Sequence, residues 1–226
     1  MTLRWLLLGA SELPNTDDWL SVEERTVLSG LTFPKRRSEW ALGRCAAKRA
    51  LRSVVGAERL AQIEIVAAKD GAPEVFVDRR RREIGISISH REGVAACVVD
   101  EGGPVGCDLE AIESRTSRFV NDFFTETERL TTSETPGTFH ERHVALIWSA
   151  KESALKFLRV GLRRDTRSVE VRVDNPLSGA PSWGGLQATV QPEGRTLHGW
   201  WRQAENLVFT VIAGAGASID ESSENQ

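Results

Sequence analysis

The chain lacks the features that mark several large protein classes. No apolar run approaches the roughly 20 residues that span a bilayer, and Leu6-Leu7-Leu8 is too short for the core of a signal peptide. The three cysteines, Cys45, Cys97 and Cys107, form no Cys-x-x-Cys pair and no Cys/His cluster. That excludes a disulfide framework, and buried thiols in a reducing compartment are the expectation. Positive charge is not in excess: 29 Lys+Arg against 32 Asp+Glu give a formal net charge of −3, where a general nucleic-acid binder is basic. There is no Walker loop, no GxGxxG, no HExxH and no GxSxG. What remains is 226 residues, 40% hydrophobic and 27% charged. That suits one ordinary domain or two small halves sharing a core, and it excludes a collagen-like or wholly disordered chain. The composition predicts a globular protein of the cytoplasm with neither nucleic acid nor membrane as its partner.

Periodicity supplies the organisation. Leu42, Ala46, Ala50 and Val54 recur every four residues, which predicts a helix over 38–55 with Gly56 as its C-terminal cap. A strand at 63–68 is followed by a turn at 69–73, and Ile84, Ile86 and Ile88 alternate with small residues as in a half-buried strand. Arg91-Glu92-Gly93 then joins that strand to 94–99 as a hairpin. The pattern restarts after Pro104, with a strand at 105–110, a long helix over 140–159, and strands at 168–173, 186–190, 197–202 and 207–213. Helix followed by antiparallel strands, twice, predicts an α+β fold of two similar halves, each a long helix packed on a small antiparallel sheet. The expected boundaries are 1–103, 104–217 and a polar tail at 218–226. The run Arg79–Arg82 reads as a solvated loop.

Three segments carry chemistry. In Val105-Gly106-Cys107-Asp108-Leu109-Glu110, strand alternation puts Asp108 and Glu110 on one face. Such a pair either lies on a solvated edge or shares a hard divalent cation such as Mg²⁺. In Trp148–Lys156, positions 148, 152 and 156 rise along one helical edge, so Glu152 could add a third carboxylate and Lys156 could neutralise phosphate. The alternative is an exposed Glu-to-Lys helix pair. In Ser87-Ile88-Ser89-His90, the histidine ends a strand beside a tight turn, where an imidazole is either structural or reaches a ligand. Basic residues Lys35, Arg36, Arg37, Arg44 and Lys48 form either a phosphate clamp or the solvated face of an amphipathic helix.

In this order the pieces resemble the 4′-phosphopantetheinyl transferases of the monomeric, two-halves type. The resemblance runs from Phe33-Pro34-Lys35-Arg36-Arg37 through Gly43–Lys48, Gly71-Ala72-Pro73, Ser87–His90, Val105–Glu110 and Phe123–Glu128 to Trp148–Lys156 and Gly161-Leu162. It implies an enzyme that transfers the 4′-phosphopantetheine arm of coenzyme A to a serine of an acyl or peptidyl carrier protein, releasing adenosine 3′,5′-bisphosphate. It implies Mg²⁺ held by Asp108, Glu110 and Glu152, with Glu152 and Lys156 catalytic. Coenzyme A would be bound by Arg37, Arg44, Ser89, His90 and Lys156, in a cleft between the halves. Many relatives carry Gly-Lys-Pro where this chain has Gly71-Ala72-Pro73. The resemblance also places the carrier near 112–124, where Arg115 and Arg118 stand beside Phe119 and Phe123, either as a charged rim around apolar anchors or as solvated arginines beside core phenylalanines. The competing readings of the same carboxylates are a metal-dependent phosphohydrolase or nuclease and a non-catalytic binding module.

Overall fold

The structure is a computed structural model that describes residues 2–174 and 182–220. The chain divides into two compact units, Val105–Gly216 and the remainder, to which the chain returns from Ala217. Among the described residues no helix is long and apolar enough to cross a membrane.

The first unit contains β1 (Thr2–Gly9), α1 (Val22–Gly30), α2 (Pro34–Val55), β2 (Ile63–Ala67), β3 (Pro73–Val77), β4 (Arg80–Arg82), β5 (Gly85–Arg91) and β6 (Val94–Asp100). Pro34 opens α2 at its first position, where a missing N–H costs nothing, and Gly56 closes it in the left-handed region at φ 64°. The helix is therefore one turn longer at its start than its apolar stripe predicts.

The second unit contains β7 (Val105–Ala111), α3 (Ser117–Phe123), α4 (Glu126–Ser133), α5 (Thr138–Phe157), β8 (Val169–Val173), β9 (Gly184–Val190), β10 (Arg195–Ala204) and β11 (Leu207–Ala213). The final strand, β12 (Ser218–Ile219), pairs in parallel with β1 and belongs to the first unit. Two residues assigned by composition to a polar tail are thus part of a sheet. The rest of that expected tail, from 221 onward, lies outside the described residues.

The two units repeat one plan. The second has a single sheet in the order β7-β11-β10-β9-β8 with α5 on one face. The first has the corresponding order β1-β6-β5 and β3-β2, broken into two sheets. The break follows from Arg80–Arg82, which is not a loop: β4 pairs back on β3, with Val75 opposite Arg82, and takes the edge that β9 gives to β10 in the second unit.

A buried ion pair occupies the same place in each unit. Glu24 closes the capping box of α1 by accepting from the Ser21 amide at 3.0 Å, accepts from the Ile65 amide of β2 at 3.1 Å, and pairs with Lys48 of α2. Glu128 does the same in α4: it accepts from the Thr125 amide at 2.8 Å and the Val171 amide of β8 at 2.7 Å, and Lys151 of α5 lies 2.8 Å away. Each lysine gives its remaining protons to backbone carbonyls, Lys48 to Trp19 and Leu60, Lys151 to Thr166 and Val169. Burial pulls both ammonium pKa values down and the glutamates partly offset it. Lys48, read as part of a basic clamp, is therefore fully buried and structural.

Gly106 sets how closely β7 approaches α5. A Cβ there would stand 2.0 Å from the Ser153 carbonyl oxygen and 2.6 Å from the Phe157 nitrogen, backbone atoms that cannot step aside. Gly106→Ala should therefore cost at least about 3 kcal/mol in chemical denaturation. Gly43→Ala, whose Cβ would meet only the Ile88 side chain at 3.2 Å, should stay within about 1 kcal/mol because the gain in helix propensity offsets the contact.

A pH dependence comes from His143 of α5, buried with its Nδ1 2.7 Å from the Thr135 hydroxyl. Burial, reinforced by His140 and Arg142, holds its pKa at about 4 rather than 6.5. Between those values the unfolded chain binds the extra proton, so this contribution is full above pH 6.5 and declines as pH falls towards about 4. Urea denaturation at about pH 7.5 and about pH 5 should show wild type losing about 1–2 kcal/mol more than His143→Gln.

Candidate active site

The site is built where β7 runs beside α5. Alternation along β7 turns Gly106, Asp108 and Glu110 towards the helix, and the absent side chain at Gly106 lets the next two meet it at short range. On α5, residues 148, 152 and 156 follow one edge. The edge and the strand interlock: the Trp148 indole N–H donates to Glu110 Oε1 at 3.1 Å, and the Lys156 ammonium donates to Asp108 Oδ1 at 2.7 Å and to the Cys107 carbonyl at 3.0 Å. Glu152 lies between them on the helix.

Asp108 and Glu110 act on Glu152 through their charge. Burial first, then the negative charge of Asp108 and more weakly Glu110, push the Glu152 pKa up to about 7, against the opposing pull of Lys156 and Arg115. Lys156 feels the reverse: burial pulls it down, and Asp108, Cys107 and Glu152 more than offset that, so its pKa lies above the ordinary lysine value. Asp108 and Glu110 are both buried. Among the described residues no group of three or more His, Cys, Asp or Glu forms a ready-made metal cage.

Two groups play parts that sequence reasoning missed. Trp148, which the 148–152–156 spacing places on the helical edge, is a hydrogen-bond donor to Glu110. Arg115, expected on a docking rim, instead turns inward: it donates to Glu110 Oε2 at 3.0 Å and lies 3.1 Å from Glu113. It follows β7 in an irregular link, so no periodicity marks the direction of its side chain. Phe119 and Phe123 pack on Trp148, with ring centroids 5.0 and 5.1 Å away, and are half-buried, while Arg118 is exposed and pairs with Asp122.

The remaining candidates are in the first unit. Arg37 and Arg44 are seven residues apart on α2 and so share a face. Arg37 donates to the Leu28 carbonyl. Arg44 stacks over Trp40 at 4.9 Å, its buried Nε has no hydrogen-bond partner among the described residues, and burial pulls its pKa down although Glu24 and Cys97 oppose this. Ser89 is buried at the end of β5, and His90 is exposed with Nδ1 4.0 Å from Glu39. The Gly71 turn is held by the Ala68 amide donating to the Ala72 carbonyl at 2.9 Å, and Lys69 beside it is exposed.

Comparison with known proteins adds to this geometry. Residues 104–212 match the family model described as the 4′-phosphopantetheinyl transferase superfamily. Residues 23–100 match the 4′-phosphopantetheinyl transferase N-terminal domain. Among solved structures, a holo-(acyl-carrier-protein) synthase from Bacillus anthracis str. Ames, determined in complex with CoA (3′,5′-ADP), is 25% identical. The alignment covers 43% of this chain and 92% of that one, with a TM-score of 0.37, too low to carry a structural argument. No curated protein matches.

The Lys156–Asp108 pair can be weighed directly. Lys156→Met strands a buried carboxylate beside Glu152 and should cost about 3 kcal/mol in urea denaturation. Adding Asp108→Asn removes the stranded charge, so the double variant should be more stable than Lys156→Met alone. A double variant whose losses simply add would show that the two groups do not interact.

Proposed function

The chain belongs to the 4′-phosphopantetheinyl transferase family and is an enzyme of phosphopantetheine transfer, and from that premise we propose that it moves the arm from coenzyme A to an apo acyl or peptidyl carrier protein in a Mg²⁺-dependent reaction centred on Asp108, Glu110, Glu152 and Lys156. The observation that carries this reading is the convergence of the β7 carboxylates with the Trp148–Lys156 edge, which leaves Glu152 titrating at about 7. The oxygen of the carrier serine forms a bond to the β-phosphorus of coenzyme A. The bond from that phosphorus to the bridging oxygen breaks, and adenosine 3′,5′-bisphosphate leaves with the electron pair.

The role of accepting the proton of the attacking hydroxyl is assigned to Glu152, which lies between Trp148 and Lys156 on the same helical edge. Lys156, kept charged by its neighbours, would stabilise negative charge on the departing phosphate. The donor set suits Mg²⁺: three carboxylates face two cations, Lys156 and Arg115, and the mutual repulsion recorded in Glu152 is what a dication relieves. Mg²⁺ is usually held by one or two carboxylates together with substrate phosphates and water, so a finished protein cage is not required. When bound, the ion would neutralise the pyrophosphate. In the first unit, Arg44 supports a coenzyme A phosphate contact, because a buried guanidinium nitrogen without a hydrogen-bond partner is stabilised by an anion. Arg37, Ser89 and His90 complete the assigned nucleotide contacts. The reading takes the protein to be a monomer of the cytoplasm, with neither nucleic acid nor membrane as a partner; its three cysteines are buried thiols, which agrees with a reducing compartment.

The test is the intact mass of several apo carriers incubated with the protein, Mg²⁺ and coenzyme A. One carrier should gain a single phosphopantetheine, and Asp108→Asn, Glu110→Gln and Glu152→Gln should each slow the gain by roughly 10²-fold or more while remaining folded. Near-normal rates in all three variants, or hydrolysis of coenzyme A without a carrier, would refute the assignment.

A further inference from the structure

The contacts around Glu110 form a closed circuit. Its Oε1 accepts from the Trp148 indole and its Oε2 from Arg115. The Arg115 guanidinium lies over the Phe119 ring at 5.1 Å, and Phe119 packs against Trp148 at 5.0 Å, which returns the circuit to the indole. The nitrogen of Arg115 that bonds Glu110 is also 3.1 Å from Glu113. These two acceptors differ: the Glu110 side chain is 12% exposed and that of Glu113 is 42% exposed. Arg115 therefore stands between a buried carboxylate of the site and a solvated one outside it.

We propose that Arg115 is a positioning residue for Glu110 and its resident counter-cation, lowering the affinity of the site for divalent ions while raising turnover. This rests on the divalent-ion reading of the preceding section. A carboxylate clamped by donors on both oxygens is fixed in orientation, and such outer partners commonly set how a ligand presents itself to a metal. The same guanidinium carries a positive charge beside the place a dication would occupy, so it opposes that dication. Glu113 gives it somewhere to go: as a dication takes up the charge of Glu110, Arg115 keeps a partner on the solvent side. Orientation and charge thus pull in opposite directions, and their separation identifies the role.

Mn²⁺ binding to the 226-residue chain without coenzyme A, followed by loss of the free-ion electron paramagnetic resonance signal, reads the charge effect independently of catalysis. Arg115→Met should tighten Mn²⁺ by roughly tenfold and lower kcat, an opposed pair of changes that a merely destabilised protein would not show. Arg115→Lys, which keeps the charge but not the planar fork, should bind Mn²⁺ much as wild type does. Glu113→Gln leaves the guanidinium wholly to Glu110 and should weaken Mn²⁺ several-fold, so the inference stays testable even if Arg115→Met fails to fold. Unchanged or weaker binding in Arg115→Met, equal tightening in the Lys variant, or unchanged binding in Glu113→Gln would each overturn it. A wild-type protein that binds no Mn²⁺ without coenzyme A would overturn this inference, and one that binds none with coenzyme A present would overturn the divalent-ion reading as well.

Discussion

The ion pair between Lys151 and Glu128 is the constraint on which the second unit depends. Glu128 at once closes the capping box of α4, accepts from a β8 amide and is the anion for a lysine of α5, so one carboxylate fixes two helices and a strand. With Lys151 fully buried and its protons divided between Glu128 and two carbonyls, rotation of α5 would expose a charge to an apolar interior. Removing one member of such a pair costs several kcal/mol, because the other is left buried and uncompensated. The pair therefore sets the azimuth of α5. Once Lys151 points inward, the 100° step of a helix determines where Glu152 points.

Three edges of α5 then have separate tasks. Lys151 faces α4 and β8. Ser149 and Ser153 face β11, where both hydroxyls bond that of Thr210 at 2.8 and 2.7 Å. Trp148, Glu152 and Lys156 run along β7. Thr210 pairs across the sheet with Asp108, so the buried hydroxyl group and the carboxylate site are anchored to neighbouring positions of one strand pair. The first unit has the same frame with other side chains. Its Lys48–Glu24 pair orients α2 in the same way, and the following residue is Arg49 where the second unit has Glu152. In the matching strand register, Leu6 opposite Cys97 and Leu8 opposite Ala95 stand where Asp108 opposes Thr210 and Glu110 opposes Val208. The repeat preserves the scaffold charge and changes the site charges, which separates the residues that make the fold from those that use it.

That separation explains how much could be read from the sequence. The DxE pair and the 148–152–156 edge were legible because they obey the periods of strand and helix, and two helix–sheet halves were legible for the same reason. Strand β4 was not: Arg79–Arg82 has no apolar alternation, and it is a strand only because β3 offers it an edge. Strand β1 was hidden in Leu6-Leu7-Leu8, a run that also suits a buried strand but that periodicity alone does not assign. Lys48 was misread because the sequence shows a lysine among arginines, whereas its partner Glu24 lies 24 positions away. The direction of Arg115 was not legible because nothing local sets it; three partners in space do.

Lys151 and Lys156, five residues apart on one helix, stand in two different environments. Lys151 is wholly enclosed, and burial pulls its pKa down. The side chain of Lys156 retains 30% exposure, and its neighbouring negative charges leave its pKa raised. An enclosed ammonium bonded to fixed carbonyls cannot be offered to a ligand without unfolding its surroundings. One at the rim, held by a carboxylate, can meet a phosphate with little rearrangement. The difference follows from the helix: five residues advance about 140° around the axis, so one period that buries a lysine under α4 brings the other to the edge of β7.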